Sequence, residues 1–123
     1  MIRILHIETS TKNCSVSLSE NGVLSLLTEL NTGGYSHAEK LHPFIQESLQ
    51  KHQSSMSDID AIAGGKGPGS YTGLRIGVSA AKGLCFANDI PLISINSLEI
   101  LSHSIEIDQG FIVPMIDARR MEV

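Results

Sequence analysis

A chain of 123 residues with 41% hydrophobic and 18% charged content fits one globular domain, or one lobe of a larger one, able to bury a core. Its net charge of −4 argues against a stand-alone nucleic-acid binder, which would turn a basic face to phosphates. Cys14 and Cys85 stand far apart, suggest neither a disulfide framework nor a zinc site, and read as reduced core residues of a cytosolic protein. The N-terminal stretch reads as too short and interrupted for a signal peptide, and no window approaches the roughly 18 apolar residues of a membrane span.

Ile2 to Ile7 is a compact apolar run and is expected to be a buried strand. The polar turn Glu8-Thr9-Ser10-Thr11-Lys12-Asn13 follows. Cys14 to Leu18 alternates, with Cys14, Val16 and Leu18 on one face and Ser15, Ser17 and Ser19 on the other, the pattern of a half-exposed strand. Asn21-Gly22 is a strong two-residue hairpin signal, so Val23 to Leu30 is the returning strand. Ser36-His37-Ala38-Glu39 reads as a capping box with Ser36 at the N-cap. In the helix it opens, Ala38, Leu41, Ile45, Leu49 and His52 share a face. Pro43 lies inside this helix and should kink it, since it removes a donor and crowds the Glu39 carbonyl.

After the linker turn at Ser54 to Asp58, Ile59 to Gly64 is expected to be a strand. A glycine-rich turn then opens a helix from about Thr72 to Asn88. Leu92 to Ile95 is a short strand, a helix runs from Ser97 to about Ile105, and Phe111 to Ile116 is a further strand. The order is βββαβαβα followed by a new strand, an α/β class. Leu5-His6-Ile7-Glu8-Thr9-Ser10 is echoed by Pro114-Met115-Ile116-Asp117-Ala118-Arg119 as strand, carboxylate and polar turn. Two lobes on one plan would give this echo. Residues 1–109 would be the first lobe, and 110–123 the first strand and turn of a truncated second, because a strand without its hairpin partner is not a stable ending.

The turn from Gly64 to Gly73 invites a phosphate-loop reading, because glycine backbone N–H groups at a helix N-terminus cradle anions. The spacing fails both standard fingerprints: Gly65-Lys66 is followed by Gly67 rather than Ser or Thr, and Ser70 and Thr72 stand where a dinucleotide motif needs glycine. A tight strand-to-helix turn in which two backbones approach is the plainer reading. Gly69, Gly73, Gly77 and Ala81 recur every four residues and form a groove of missing side chains, along which a second helix can lie. Arg75, Ser79 and Lys82 are the only polar stripe. A helix apolar nearly all round is buried on two sides. The second neighbour is either another part of an intact two-lobed protein or a partner subunit, and both readings stand. Glu8, Thr9 and Ser10 offer a carboxylate and hydroxyls suited to a phosphate or a metal-bound water, although the composition is common in turns. His37 and His42, five apart, point roughly 140° from each other on a helix and do not make a metal pair. His6 reads as a satisfied core histidine.

Ile7-Glu8-Thr9-Ser10-Thr11, Ser36-His37, the run from Gly67-Pro68-Gly69 through Ile76-Gly77, and Ile116-Asp117-Ala118-Arg119-Arg120 occur in this order. Together they resemble the bacterial TsaB family, also called YeaZ. The resemblance implies a ribonuclease-H-like lobe of the actin-like ATPase fold. It also implies a non-catalytic accessory role in making threonylcarbamoyladenosine in tRNA, beside a TsaD-type catalytic paralogue and a TsaE-type ATPase. A homodimer in isolation is implied too, with tRNA contacted only through the complex and no membrane association. No cofactor is implied for the chain itself, ATP or ADP with magnesium entering at the level of the complex. The implied partner surface comprises Ser36, His37, Leu41, Ile45, Gly69, Tyr71, Thr72, Gly73, Leu74, Arg75, Ile76, Gly77, Val78 and Ala81. Glu8, Thr9 and Ser10 would be a vestigial nucleotide or phosphate site. Two positions depart from the family pattern: Glu8 stands where Asp is common, and Met121 where glycine is more usual. An ATPase or phosphotransferase using Glu8 and Ser10, or a glycoprotease-type metallopeptidase, are the alternatives.

Overall fold

A computed structural model describes residues 1–31 and 37–117, the side chains of residues 30, 31, 37 and 38 excepted. The strands are β1 (Arg3–Glu8), β2 (Asn13–Glu20), β3 (Val23–Asn31), β4 (Ala61–Gly65) and β5 (Leu92–Ile95). The helices are α1 (His37–Lys51), α2 (Tyr71–Asn88) and α3 (Ser97–Ser102), with a 3-10 turn at Met56–Asp58. They form one five-stranded sheet in the order β3-β2-β1-β4-β5. The β1–β2 and β2–β3 pairs are antiparallel, while β1–β4 and β4–β5 are parallel.

The expected meander forms because its turn chemistry suits it. Asn21 and Gly22 take φ of 50° and 81°, the left-handed pair that matches strand twist in a two-residue hairpin, and Glu20 pairs with Val23. Register then sorts the faces. Leu5 pairs with Leu18 and Ile62, and Ile7 with Val16 and Gly64, so all six share one face. On that face Leu5, Val16, Leu18 and Ile62 are wholly buried, each contributing roughly 1.5–3 kcal/mol of transfer free energy. Leu41, Ile45 and Leu49 of α1 and Ala80, Ala81 and Cys85 of α2 close the same cluster. Both helices therefore lie on one side of the sheet. The other face carries His6, Ser15, Ser17 and Ser19, with Leu27 and Ile93 exposed. His6 is satisfied there by Ser19 Oγ at 2.9 Å, and burial pushes its pKa down.

Several sequence expectations need amendment. Glu8 ends β1 rather than opening the turn, because it pairs with Ser15. The strand expected from Ile59 begins at Ala61, and the last helix stops at Ser102 instead of Ile105. Phe111 to Ile116 is no strand among the described residues, as no neighbouring strand offers it a ladder. The Ser36 capping box and the turn at Ala118 to Met121 lie outside the described residues. Pro43 sits inside α1, as the helix reading required. His52, placed by its spacing in the apolar stripe of α1, instead follows the helix and meets Glu20, its Nε2 being 2.5 Å from Oε1.

Candidate functional site

The strand order changes direction between β1 and β4. β1 leads left to β2, while β4 leads through α2 to β5 on the right. In open α/β sheets the crevice beyond the carboxyl ends of two such strands is the usual ligand position. Here the crevice is bordered by the turn at Thr9-Ser10 and the turn from Lys66 to Ser70.

These turns are bonded to each other. Glu8 Oε1 accepts the Ser10 N–H at 2.9 Å, and the Ser70 N–H donates to the Ser10 carbonyl at 2.6 Å. Ser70 caps α2, its Oγ accepting the Gly73 N–H at 3.2 Å. Thr9 is buried and donates from Oγ1 to the Gly73 carbonyl at 2.7 Å. On the far side the Lys66 N–H donates to the Ile95 carbonyl and the Gly67 N–H to Ser97 Oγ, at 2.9 and 3.2 Å. Gly67 adopts φ of 111°, which only glycine takes without strain. The N–H groups of Lys66, Gly67, Ser70 and Gly73 are thus committed within the chain. The turn, as arranged, is a tight crossing of two backbones. The residues Glu8, Thr9 and Ser10 are brought together, but around each other. Beside them a cavity of about 280 Å³ separates the sheet from α2, bordered by Ile7, Thr9, Gly65, Lys66, Lys82 and Ser94.

The small-residue stripe of α2 is filled from inside the chain. A Cβ built on Gly77 would lie 2.1 Å from Thr9 Oγ1, and one on Gly69 would lie 2.6 Å from the Ser10 carbonyl oxygen. Gly73, Gly77, Ala80, Ala81 and Cys85 are buried. The groove expected to receive a partner helix therefore receives the β1–β2 turn. Of the residues expected at the partner surface, Gly69 and Gly77 lie against this turn, Gly73 is buried with its carbonyl bonded to Thr9, and Ala81 belongs to the core. Leu41 (0% exposed) and Ile45 (4%) are core residues under the sheet. Leu74, Ile76 and Val78 are half-buried flanks. Ser36 and the His37 side chain lie outside the described residues.

Tyr71, Thr72 and Arg75 do face outward, and the structure adds Ser79, Lys82 and Phe86 to them. At about 100° per residue these six span little more than a quarter turn of the helix. Tyr71 is 75% exposed and Phe86 92%, one near each end. The Arg75 guanidinium carbon lies 5.5 Å from the Tyr71 ring centroid, a cation–π contact that holds the arginine along the surface. Thr72, Arg75, Ile76 and Ser79 border a shallow hollow. Phe86 is by composition one of the apolar residues of α2. Its spacing from Tyr71, Arg75, Ser79 and Lys82 is the signal that would have placed it outside. Among the described residues no three His, Cys, Asp or Glu side chains gather as a metal site, and no helix is long and apolar enough to cross a membrane.

The sheet order and one-sided helices define a ribonuclease-H-like lobe. The fold matches Thermus thermophilus RuvC in complex with a Holliday junction substrate with a TM-score of 0.55, covering 81% of this chain and 68% of that one at 10% identity. YeaZ from Pseudomonas aeruginosa matches with a TM-score of 0.78 at 36% identity, over 85% of this chain and 47% of that one. The Escherichia coli (strain K12) tRNA threonylcarbamoyladenosine biosynthesis protein TsaB is 36% identical over 99% of this chain and 53% of its own length. A Staphylococcus aureus (strain JH9) tRNA N6-adenosine threonylcarbamoyltransferase is 38% identical over 94% of this chain and 38% of its own. The family model described as TsaD, tRNA N6-adenosine threonylcarbamoyltransferase, matches residues 32–123. The chain belongs to the TsaB (YeaZ) family within this group. It spans about half the length of the TsaB proteins it matches.

Proposed function

We propose that the chain is the N-terminal lobe of a non-catalytic accessory subunit in threonylcarbamoyladenosine synthesis on tRNA, acting in the cytoplasm. Residues 110–123 would open its second lobe. The outward stripe of α2 would pair it with the threonylcarbamoyltransferase, or with a second copy in isolation. A TsaE-type ATPase would join the complex, with magnesium and ATP or ADP entering there, and tRNA would be reached only through it. The observation that carries this reading is the exposure of Tyr71 and Phe86 near the two ends of a helix whose opposite face is packed. Large aromatic side chains left at the rim of a rigid helix are typical anchors of protein interfaces.

A substitution at the centre of the stripe tests it. Ser79→Trp adds bulk at an exposed position and should leave the fold intact by circular dichroism. Titration of the purified transferase should show affinity lowered by about tenfold or more, the loss of one well-packed anchor contact. Unchanged affinity would put the partner surface elsewhere.

A second reading, an ATPase or phosphotransferase, draws on the position of Glu8 and Ser10 at the strand-order reversal. It needs the bonds among the two turns to open. Calorimetry with ATP and magnesium decides it: binding that disappears in Glu8→Ala supports it, and absence of binding removes it.

A further inference from the structure

Register leaves one row of the sheet unfilled on its helix side. Leu5 pairs with Ile62 and Ile62 with Leu92, a row of three large side chains. The next row on the same face is Ile7, Gly64 and Ser94, where a hydrogen and a hydroxymethyl group stand in place of side chains of that size. Over this row α2 carries Gly77, Val78 and Ala81, again small. The helix cannot settle into the gap, because Gly77 and Gly69 already lie against the Thr9 side chain and the Ser10 carbonyl. What remains is the cavity of about 280 Å³. Packed interiors keep few voids larger than one water molecule, and this one has the volume of about nine at about 30 Å³ each.

Its walls differ from end to end. Ile7 and Ala81 are buried, as is Thr9, whose hydroxyl is turned to the Gly73 carbonyl, so the inner end is closed and apolar. Lys66, Lys82 and Ser94 are exposed and mark the mouth. The lysines reach it from different elements, the turn after β4 and the outer side of α2. Neither forms an ion pair among the described residues, and the Ser94 hydroxyl has no partner there. No acidic side chain is among these walls. Glu8 alternates with Ile7 onto the opposite face of the sheet, where its carboxylate lies over Gly65 and Oε1 accepts the Ser10 N–H.

A closed apolar end behind a few convergent polar groups is the usual make-up of a small-molecule pocket. We propose that this cavity binds a small organic acid. Its compact apolar body lies between the sheet and α2, and its carboxylate sits at the mouth between Lys66 and Lys82, with the Ser94 hydroxyl as a further donor. The volume suits a body of about nine non-hydrogen atoms, counted at the share of one water each. The site lies across the sheet from Glu8 and uses neither Glu8 nor Ser10.

Amide NMR spectra of the protein, recorded through titrations with isocaproate, with the corresponding alcohol and with inorganic phosphate, test this. The acid should give saturable shifts at Gly64, Gly65, Ala81 and Ser94, with a Kd of about 1 mM or tighter for a ligand of this size. The alcohol, which lacks the charge, should bind about tenfold weaker, the loss expected for a charged hydrogen bond. The acid should bind K66Q/K82Q more weakly by the same factor, and since both lysines are exposed this variant keeps the fold. Ser94→Leu places a side chain in the empty row. It should remove the shifts at Gly64 and Ala81 and, without the acid, raise the unfolding midpoint. Absence of saturable shifts in the wild-type protein overturns the proposal, as does equal binding of acid and alcohol or undiminished binding to K66Q/K82Q. Phosphate that gives the same shifts or displaces the acid shows an anion patch with no apolar subsite, and also overturns it. Should Ser94→Leu fail to fold, the lysine pair and the alcohol decide.

Discussion

Gly77→Ala and Gly83→Ala make the same change on the same helix and should have opposite effects. At Gly83 an added Cβ has nothing within 4 Å, so the substitution gains helix propensity of about 0.8–1 kcal/mol and stabilises. At Gly77 the new methyl would sit 2.1 Å from Thr9 Oγ1 and 3.3 Å from Thr9 Cβ. Thr9 cannot simply turn away. It is β-branched and stiff, it is buried, and its Oγ1 holds the Gly73 carbonyl at 2.7 Å. Moving it gives up that bond, worth about 1–3 kcal/mol at a buried site. Overpacking the α2–β1 contact adds about 1–3 kcal/mol. After subtracting the propensity gain of about 1 kcal/mol, Gly77→Ala should destabilise by about 1–5 kcal/mol. Urea unfolding followed by circular dichroism measures both. With a slope of about 1–3 kcal/mol per molar, the two midpoints should move apart visibly. Thr9→Ala removes the colliding oxygen, so the penalty of Gly77→Ala should shrink in that background, a coupling of about 0.5–3 kcal/mol in the double-mutant cycle. If Gly77→Ala matched Gly83→Ala in sign and size while weakening only partner binding, the glycine stripe would face outward and the internal packing described for it would be wrong.

Gly69→Ala should be harsher than Gly77→Ala, because its Cβ meets the Ser10 carbonyl, and backbone at 2.6 Å cannot rotate aside; the unfolding midpoint of the variant checks this. Leu41→Ala should cost about 2–5 kcal/mol as a fully buried core leucine, read in the same assay, and a loss confined to partner binding would restore it to the surface. His6 titrates lower in the fold than its ordinary 6.5 because burial disfavours its charged form. The unfolded chain therefore binds the proton first, and the stability contributed by neutral His6 is present above pH 6.5 and lost as the pH falls through its lowered value. His6→Gln should flatten that part of the pH dependence of the urea midpoint, and an unchanged slope would assign it to other groups.

The elements were legible where one local rule governed them. Asn21-Gly22 closed its hairpin, alternation at Cys14, Val16 and Leu18 chose the buried face, and the first and last turns of α2 fell within a residue of their expected places. What fills a groove was not legible. Glycines at every fourth position look the same whether a partner helix or the chain's own turn lies in them. The filling residue, Thr9, is 64 positions from the Gly73 carbonyl it bonds. Leu41 and Ile45, which the resemblance places at an interface, share that ambiguity: an apolar helical stripe states that something is buried, but not against what. Phe111 to Ile116 had strand composition, yet a strand is defined by a neighbour that sequence alone does not provide.

The two readings of the glycine-rich turn meet at α2. Its N-terminus is held by Ser70 as cap, by the Ser10 carbonyl through the Ser70 N–H, and by Thr9 on Gly73. Each of these bonds uses a group that an anion at the strand-order reversal would otherwise need. Opening them to bind a phosphate would leave buried donors and acceptors unpaired at about 1–3 kcal/mol each unless the ligand replaced every one. Keeping them closed fixes the rotation of α2 about its axis, because Gly73 and Gly77 can sit against the turn in only one orientation. That orientation is what sends Tyr71, Arg75, Ser79, Lys82 and Phe86 to the outside together. The closed crevice and the outward stripe of α2 are thus consequences of the same few contacts, so if that stripe is the partner surface proposed above, a variant that loosens the turn, such as Thr9→Ala, should weaken partner binding although Thr9 is buried.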